Sequence, residues 1–77
     1  MLSTGWLKKL NNLIRGEMKA QGVTQEKLGY YIGLSRSEFG LKLSGKVAWR
    51  LSEVMGICEY LKIGAEVKEI LFGEKNE

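Results

Sequence analysis

The side chains of this sequence that can do chemistry are mostly cations. Nine of the twelve lysines and arginines fall within residues 1–50 against three glutamates, a local charge of +6, while residues 51–77 hold three cations against six glutamates, or −3. The net charge of +3 is therefore polarised, and its basic part suits an anionic partner. Catalytic sets are missing by contrast. There is no histidine and no aspartate, which removes Ser-His-Asp and Cys-His nucleophiles and histidine-rich metal sites. The single cysteine, Cys58, can form neither an internal disulfide nor a thiolate zinc cage, so no oxidising compartment is implied and the cytoplasm is the default. The glutamates are scattered, without a spacing that pairs two in a pocket, and no complete Gly-rich phosphate loop occurs. The residues point to a binder and not an enzyme, with no cofactor and no metal.

These side chains must be positioned by a small fold. Seventy-seven residues, 44 % of them apolar, make one globular domain, expected to span residues 1–77. No apolar run approaches the ~20 residues a bilayer requires. Leu7, Leu10, Leu13, Ile14 and Met18 recur at helical spacing, with Lys8, Lys9, Asn11, Asn12 and Arg15 on the other face, so a first helix runs to Gly22. Thr24 caps a short second helix, about Gln25 to Ile32, with Val23 and Leu28 as its hydrophobic staple. Gly33 ends it. Ser35-Arg36-Ser37-Glu38 has capping-box spacing, so a third helix follows at once and closes on Ser44-Gly45. Leu51, Val54, Met55, Cys58 and Leu61 mark a fourth helix that lacks a good capping residue, and Gly64 opens a fifth with Val67, Ile70 and Leu71 on one face. The expected fold class is all-α, a bundle of about five short helices.

Gly29 stands in the middle of the second helix at a cost of up to ~1 kcal/mol relative to alanine, so something must require the missing side chain. Close packing on the third helix would supply that reason. With Leu28, Ile32, Leu34 and Phe39 inward around a tight glycine turn, the stretch from Thr24 to Gly45 resembles a DNA-binding helix-turn-helix. The wider sequence, in Val23-Thr24-Gln25-Glu26, Leu28-Gly29, Ile32-Gly33-Leu34-Ser35-Arg36-Ser37, Leu43-Ser44-Gly45-Lys46 and Trp49-Arg50-Leu51-Ser52-Glu53-Val54, resembles the lambda-repressor-like family, the phage Cro and CI or XRE type of regulator. The likeness covers about residues 10–72. Two departures stand out: glycine at Gly29 where the family often has alanine, and lysine at Lys42 where many members are apolar.

The resemblance implies a transcription regulator that reads operator bases on double-stranded DNA with its third helix in the major groove. Arg36 and Ser37 take the family's base-reading positions, with Arg36 able to grip guanine O6 and N7, and outward Leu41 faces either a thymine methyl or the core. Glu38 is either an acceptor for a cytosine amino group or the reciprocal member of the capping box. Gln25 matches a phosphate-contacting glutamine, and Thr24, Lys27, Lys42, Ser44, Lys46 and Arg50 complete the expected phosphate contacts. For Lys42 the expectation is a stem over the core with the ammonium reaching water, or a slightly rotated third helix. Of Tyr30 and Tyr31, one packs and the other is free for phosphate, and Trp49 plugs the core. A homodimer on a two-fold operator is implied, through Val67, Ile70, Leu71 and Phe72, or through Trp6 and Leu2, the alternative for the tail being packing on the first helix. A rival reading keeps the fold but uses the third-helix surface to hold another protein, as an antirepressor or assembly factor would.

Overall fold

Leu10, Ile14 and Met18 follow one another at four-residue steps, and helix α1 (Thr4–Gln21) turns that stripe inward until all three are buried. The computed structural model describes residues 4–72. Four shorter helices follow: α2 (Gln25–Ile32), α3 (Arg36–Leu43), α4 (Leu51–Leu61) and α5 (Gly64–Phe72). The fold is all-helical among the described residues. Helix α2 packs on α3 and α4, while α1 packs on α4 and α5. Leu10, Ile14, Leu28, Phe39, Ile57, Leu61 and Ile63 form the fully buried centre, and Val67 adds α5 to it.

Local chemistry places the joints where capping residues stand. Thr24 Oγ1 accepts the Lys27 N–H at 3.1 Å, starting α2. Gly33 closes that helix with φ of 82°, a left-handed conformation open to glycine, and the Leu34 N–H then reaches back to the Gly29 carbonyl at 2.7 Å. Ser35 Oγ accepts the Glu38 N–H at 3.1 Å and Glu38 Oε1 accepts the Ser35 N–H at 2.9 Å, so the expected capping box opens α3. At α4 no capping side chain precedes the helix, and Glu53 Oε1 instead accepts the Arg50 N–H at 2.9 Å from inside the first turn. That bond satisfies the Arg50 N–H alone, so the first-turn amides of α4 have no side-chain cap at this position.

Gly29 is buried where α2 meets the turn into α3. A Cβ there would stand 3.0 Å from the Leu34 carbonyl oxygen and 3.5 Å from Phe39 Cβ, so the close approach inferred from the sequence is real. Gly29→Val is expected to lower stability by about 1–3 kcal/mol through this overpacking, seen as a lower melting temperature. An unchanged melt would mean the turn yields freely. Gly56 in α4 is tighter still: a Cβ there would stand 2.8 Å from Ile32 Cγ2, so α4 meets this α2 side chain at a residue with none of its own.

Three packing expectations are corrected. The inward face of α4 is Glu53, Ile57 and Leu61, which leaves Leu51 and Met55 exposed despite their apolar spacing. Asn11, expected on the polar face of α1, is buried. Trp6, expected as an exposed contact, is half-buried against the core, and Leu2 lies outside the described residues.

Candidate nucleic-acid interface

Helix α3 has an inner and an outer side set by its own periodicity. Phe39, Lys42 and Leu43 point inward and Ser37, Leu41 and Ser44 lie on the exposed side, while Arg36, three and seven residues before Phe39 and Leu43, shares their stripe and is exposed at the first position of the helix. Arg36 and Ser37, the expected base readers, stand on the first turn with no side-chain hydrogen bond or ion pair to any described residue. Leu41 is 44 % exposed one turn further on, so it is not a core residue. Glu38 is exposed, but its carboxylate is engaged in the capping box, whose Ser35 N–H and hydroxyl hold it below the usual carboxylate range. Of the two readings offered for it, the structure contains the capping one.

Of the residues expected at the phosphates, all but one are at the surface. Thr24, Gln25, Lys27, Ser44, Lys46 and Arg50 are all exposed. The Gln25 side chain lies against α3, since a Cβ on Gly40 would come within 3.5 Å of its Oε1. Ser44 Oγ donates to the Leu41 carbonyl at 2.9 Å. Lys42 is the correction: its residue is only 9 % exposed, and its ammonium donates to Glu53 Oε1 and Oε2 at 2.6 and 2.8 Å. The ammonium does not snorkel to water, and a cation held this way is not free for phosphate.

The Lys42–Glu53 pair belongs to a buried polar cluster that holds α3 from behind. Burial opposes the charge on Glu53, but the Arg50 N–H and the Lys42 ammonium together keep its carboxyl below the usual range. Trp49 Nε1 donates to Asn11 Oδ1 at 2.7 Å, Asn11 Nδ2 donates to the Lys42 carbonyl at 3.4 Å, and the Trp49 ring meets Phe39 edge to face at 5.4 Å. Trp49 is thus the core plug that was expected, with a polar handle on α1. Helix α1, the α3–α4 loop and α4 all grip α3 from its inner side.

Sequence patterns alone missed Asn11 and Glu53, although a signal existed for each. Asn11 sits four residues after Leu7 and three before Ile14, on the buried stripe, and Glu53 stands four before Ile57 and eight before Leu61. Two polar residues on inward stripes, together with Lys42 on a third, mark a buried network.

The remaining candidates resolve by burial. Tyr31 is the tyrosine that packs, edge to face with Tyr60 at 4.9 Å, and its hydroxyl donates to Glu59 Oε1 at 3.2 Å. That hydrogen bond, with the charge on Glu59, raises the Tyr31 pKa. Tyr30 is 87 % exposed. Cys58 is half-buried, not fully so, and burial pushes its thiol pKa up, away from the reactive thiolate. On α5, Val67 is core, Ile70 and Leu71 are half-buried, and Phe72 alone of the expected contact set is exposed. Of the two readings offered for this tail, Val67 takes the packing one, with α5 set on α1. No family model, no curated protein and no solved structure matches this chain.

Proposed function

We propose that the chain is a sequence-specific, double-stranded-DNA-binding regulator whose α2–turn–α3 segment acts as a helix-turn-helix. The observation that carries this reading is the division of α3: an exposed first turn whose Arg36 and Ser37 make no side-chain hydrogen bond or ion pair with a described residue, and buried later turns tied to α1, the α3–α4 loop and α4. A reading element must be rigid and must present free donors, and α3 meets both needs. Around it Gln25, Lys27, Lys46 and Arg50 are exposed cations and donors suited to phosphates, within a half of the sequence that carries +6. Arg36 and Ser37 would choose the sequence, with Leu41 against a thymine methyl. No catalysis and no cofactor belong to this reading, and the site of action would be the bacterial cytoplasm or nucleoid.

One short helix reads few base pairs, so useful specificity calls for a homodimer on half-sites about one turn of DNA apart, ~34 Å. With Val67 in the core, Phe72 and the exposed Leu51 and Met55 of α4 are the large apolar side chains of this half left to meet a second copy.

Selection of bound duplexes from a random pool tests the whole reading, giving specificity, spacing and symmetry together. Arg36→Ala should flatten preference at one position, losing about 1–3 kcal/mol of discrimination, whereas Lys46→Ala should weaken all sequences alike and reduce the salt slope by about 1. Base preference untouched by Arg36→Ala would sink the assignment. Absence of any duplex binding at low salt would favour a protein partner for exposed Tyr30 and Leu41.

A further inference from the structure

The end of α3 farthest from Arg36 is the negative end of its helix dipole, and bare carbonyls there would repel a phosphate. None of the last three is bare: the Lys46 and Gly45 N–H groups reach those of Leu41 and Lys42 at 3.0 and 3.1 Å, and side-chain donors add Ser44 Oγ on Leu41 at 2.9 Å, Asn11 Nδ2 on Lys42 at 3.4 Å and Arg15 Nη2 on Leu43 at 2.9 Å. Two of those donors come from α1. The same turn of α1 and the start of the α3–α4 loop line a groove of about 280 Å³, in which Lys8, Asn12, Arg15 and Ser44 are the exposed polar residues and no acid takes part. Arg15 also donates to Asn12 Oδ1 at 3.3 Å, which aims the amide, and its guanidinium keeps further N–H groups free of these two bonds. Lys8 has no ion-pair partner among the described residues.

From this we infer a second anion-binding shelf, built by Lys8, Asn12 and Arg15 of α1 at the carboxyl end of α3, whose ligand is the phosphodiester backbone of the bound duplex. The inference rests on the nucleic-acid reading above and adds α1 to it. Its geometry is consistent with the duplex. Eight helical residues extend about 12 Å at ~1.5 Å each, comparable with the ~12 Å width of the major groove. A helix that presents Arg36 to base edges can therefore bring its far end to a sugar-phosphate wall, where a cationic groove is useful and an acidic one is not. Gln25 of α2 lies against α3 at Gly40, and the α1 shelf stands at the carboxyl end beyond it.

The test is a titration of the full chain with a labelled random-sequence duplex over a range of salt. Lys8→Ala is expected to lower the slope of log affinity against log salt by about 1 without changing base preference, and Lys8→Glu to lower affinity further. The melting temperatures of both should match the wild type, since Lys8 is exposed and outside the packing. Lys68→Ala on α5 is the control and should leave the slope unchanged. An unaltered slope in Lys8→Glu, beside a reduced one in Lys46→Ala, overturns the shelf while the nucleic-acid reading stands. An equal loss in Lys68→Ala also overturns it, as a general charge effect. If the wild-type chain binds no duplex at low salt, the shelf and the reading beneath it fall together.

Discussion

Glu53→Ala is expected to remove about 3–5 kcal/mol of folding stability, because it strands the buried Lys42 ammonium without its counter-charge. At roughly 0.05–0.15 kcal/mol per residue, the whole domain holds only about 4–12 kcal/mol. That is a large share of the total, and it corresponds to a fall in melting temperature of at least ~12 °C. The penalty belongs to the stranded ion and not to the pair as such, so replacing both partners with Met should restore most of the loss. A double variant as unstable as the single one, or a neutral single, would contradict this account. Acid provides an independent check. The folded Glu53 carboxyl lies below its unfolded value near ~4.3, so its contribution is complete above about pH 4.3 and is lost as pH falls through the folded value. The wild type should weaken steeply over that acid range, and the Met–Met variant less so. Glu38, also held low by its capping box, leaves some acid sensitivity in both.

Phe39→Ala should be comparably severe, at about 3–5 kcal/mol. The ring is fully buried, meets Trp49 edge to face at 5.4 Å, and sits where α2, at Gly29, approaches α3 most closely. Truncation leaves a cavity and deprives the indole of its aromatic partner, a contact worth about 0.5–1.5 kcal/mol beyond burial. Urea unfolding should show a lower midpoint, and the near-ultraviolet circular dichroism of Trp49 should weaken in whatever fraction stays folded. Phe39→Leu should lose less, since it keeps most of the volume. A midpoint unchanged in Phe39→Ala would mean that the ring does not anchor α3. Both large effects fall on the inner side of this one helix, the element proposed to read DNA.

The elements were legible because their signals are local. Thr24, Gly33 and the Ser35–Glu38 box each act within a turn of their own position, and they mark α2 and α3 without help from the rest of the chain. Exposure of Ser37 was readable for a related reason, since helical periodicity opposes it to Phe39, whereas Leu41 was left between groove and core, and Arg36, three and seven residues before Phe39 and Leu43, shares their stripe and is exposed at the first position of the helix. Helix α4 was harder. Leu51 and Met55 share its apolar spacing yet stay outside, because Ile32 packs on Gly56 and turns the Glu53–Ile57–Leu61 face inward.

By itself, then, the sequence determined an all-helical chain with a polarised charge, no histidine-based chemistry and a capped, glycine-joined pair of short helices. Only the tertiary structure decided the roles of Lys42, Asn11 and Glu53. A lysine at that position reads equally as a surface cation or a snorkelling one until another helix brings a carboxylate within 2.6 Å of its ammonium. The same holds for Arg15, whose neighbour is a carbonyl 28 residues away. Capping and periodicity are settled within a few residues, whereas the charge state and exposure of a side chain depend on which distant group is packed against it.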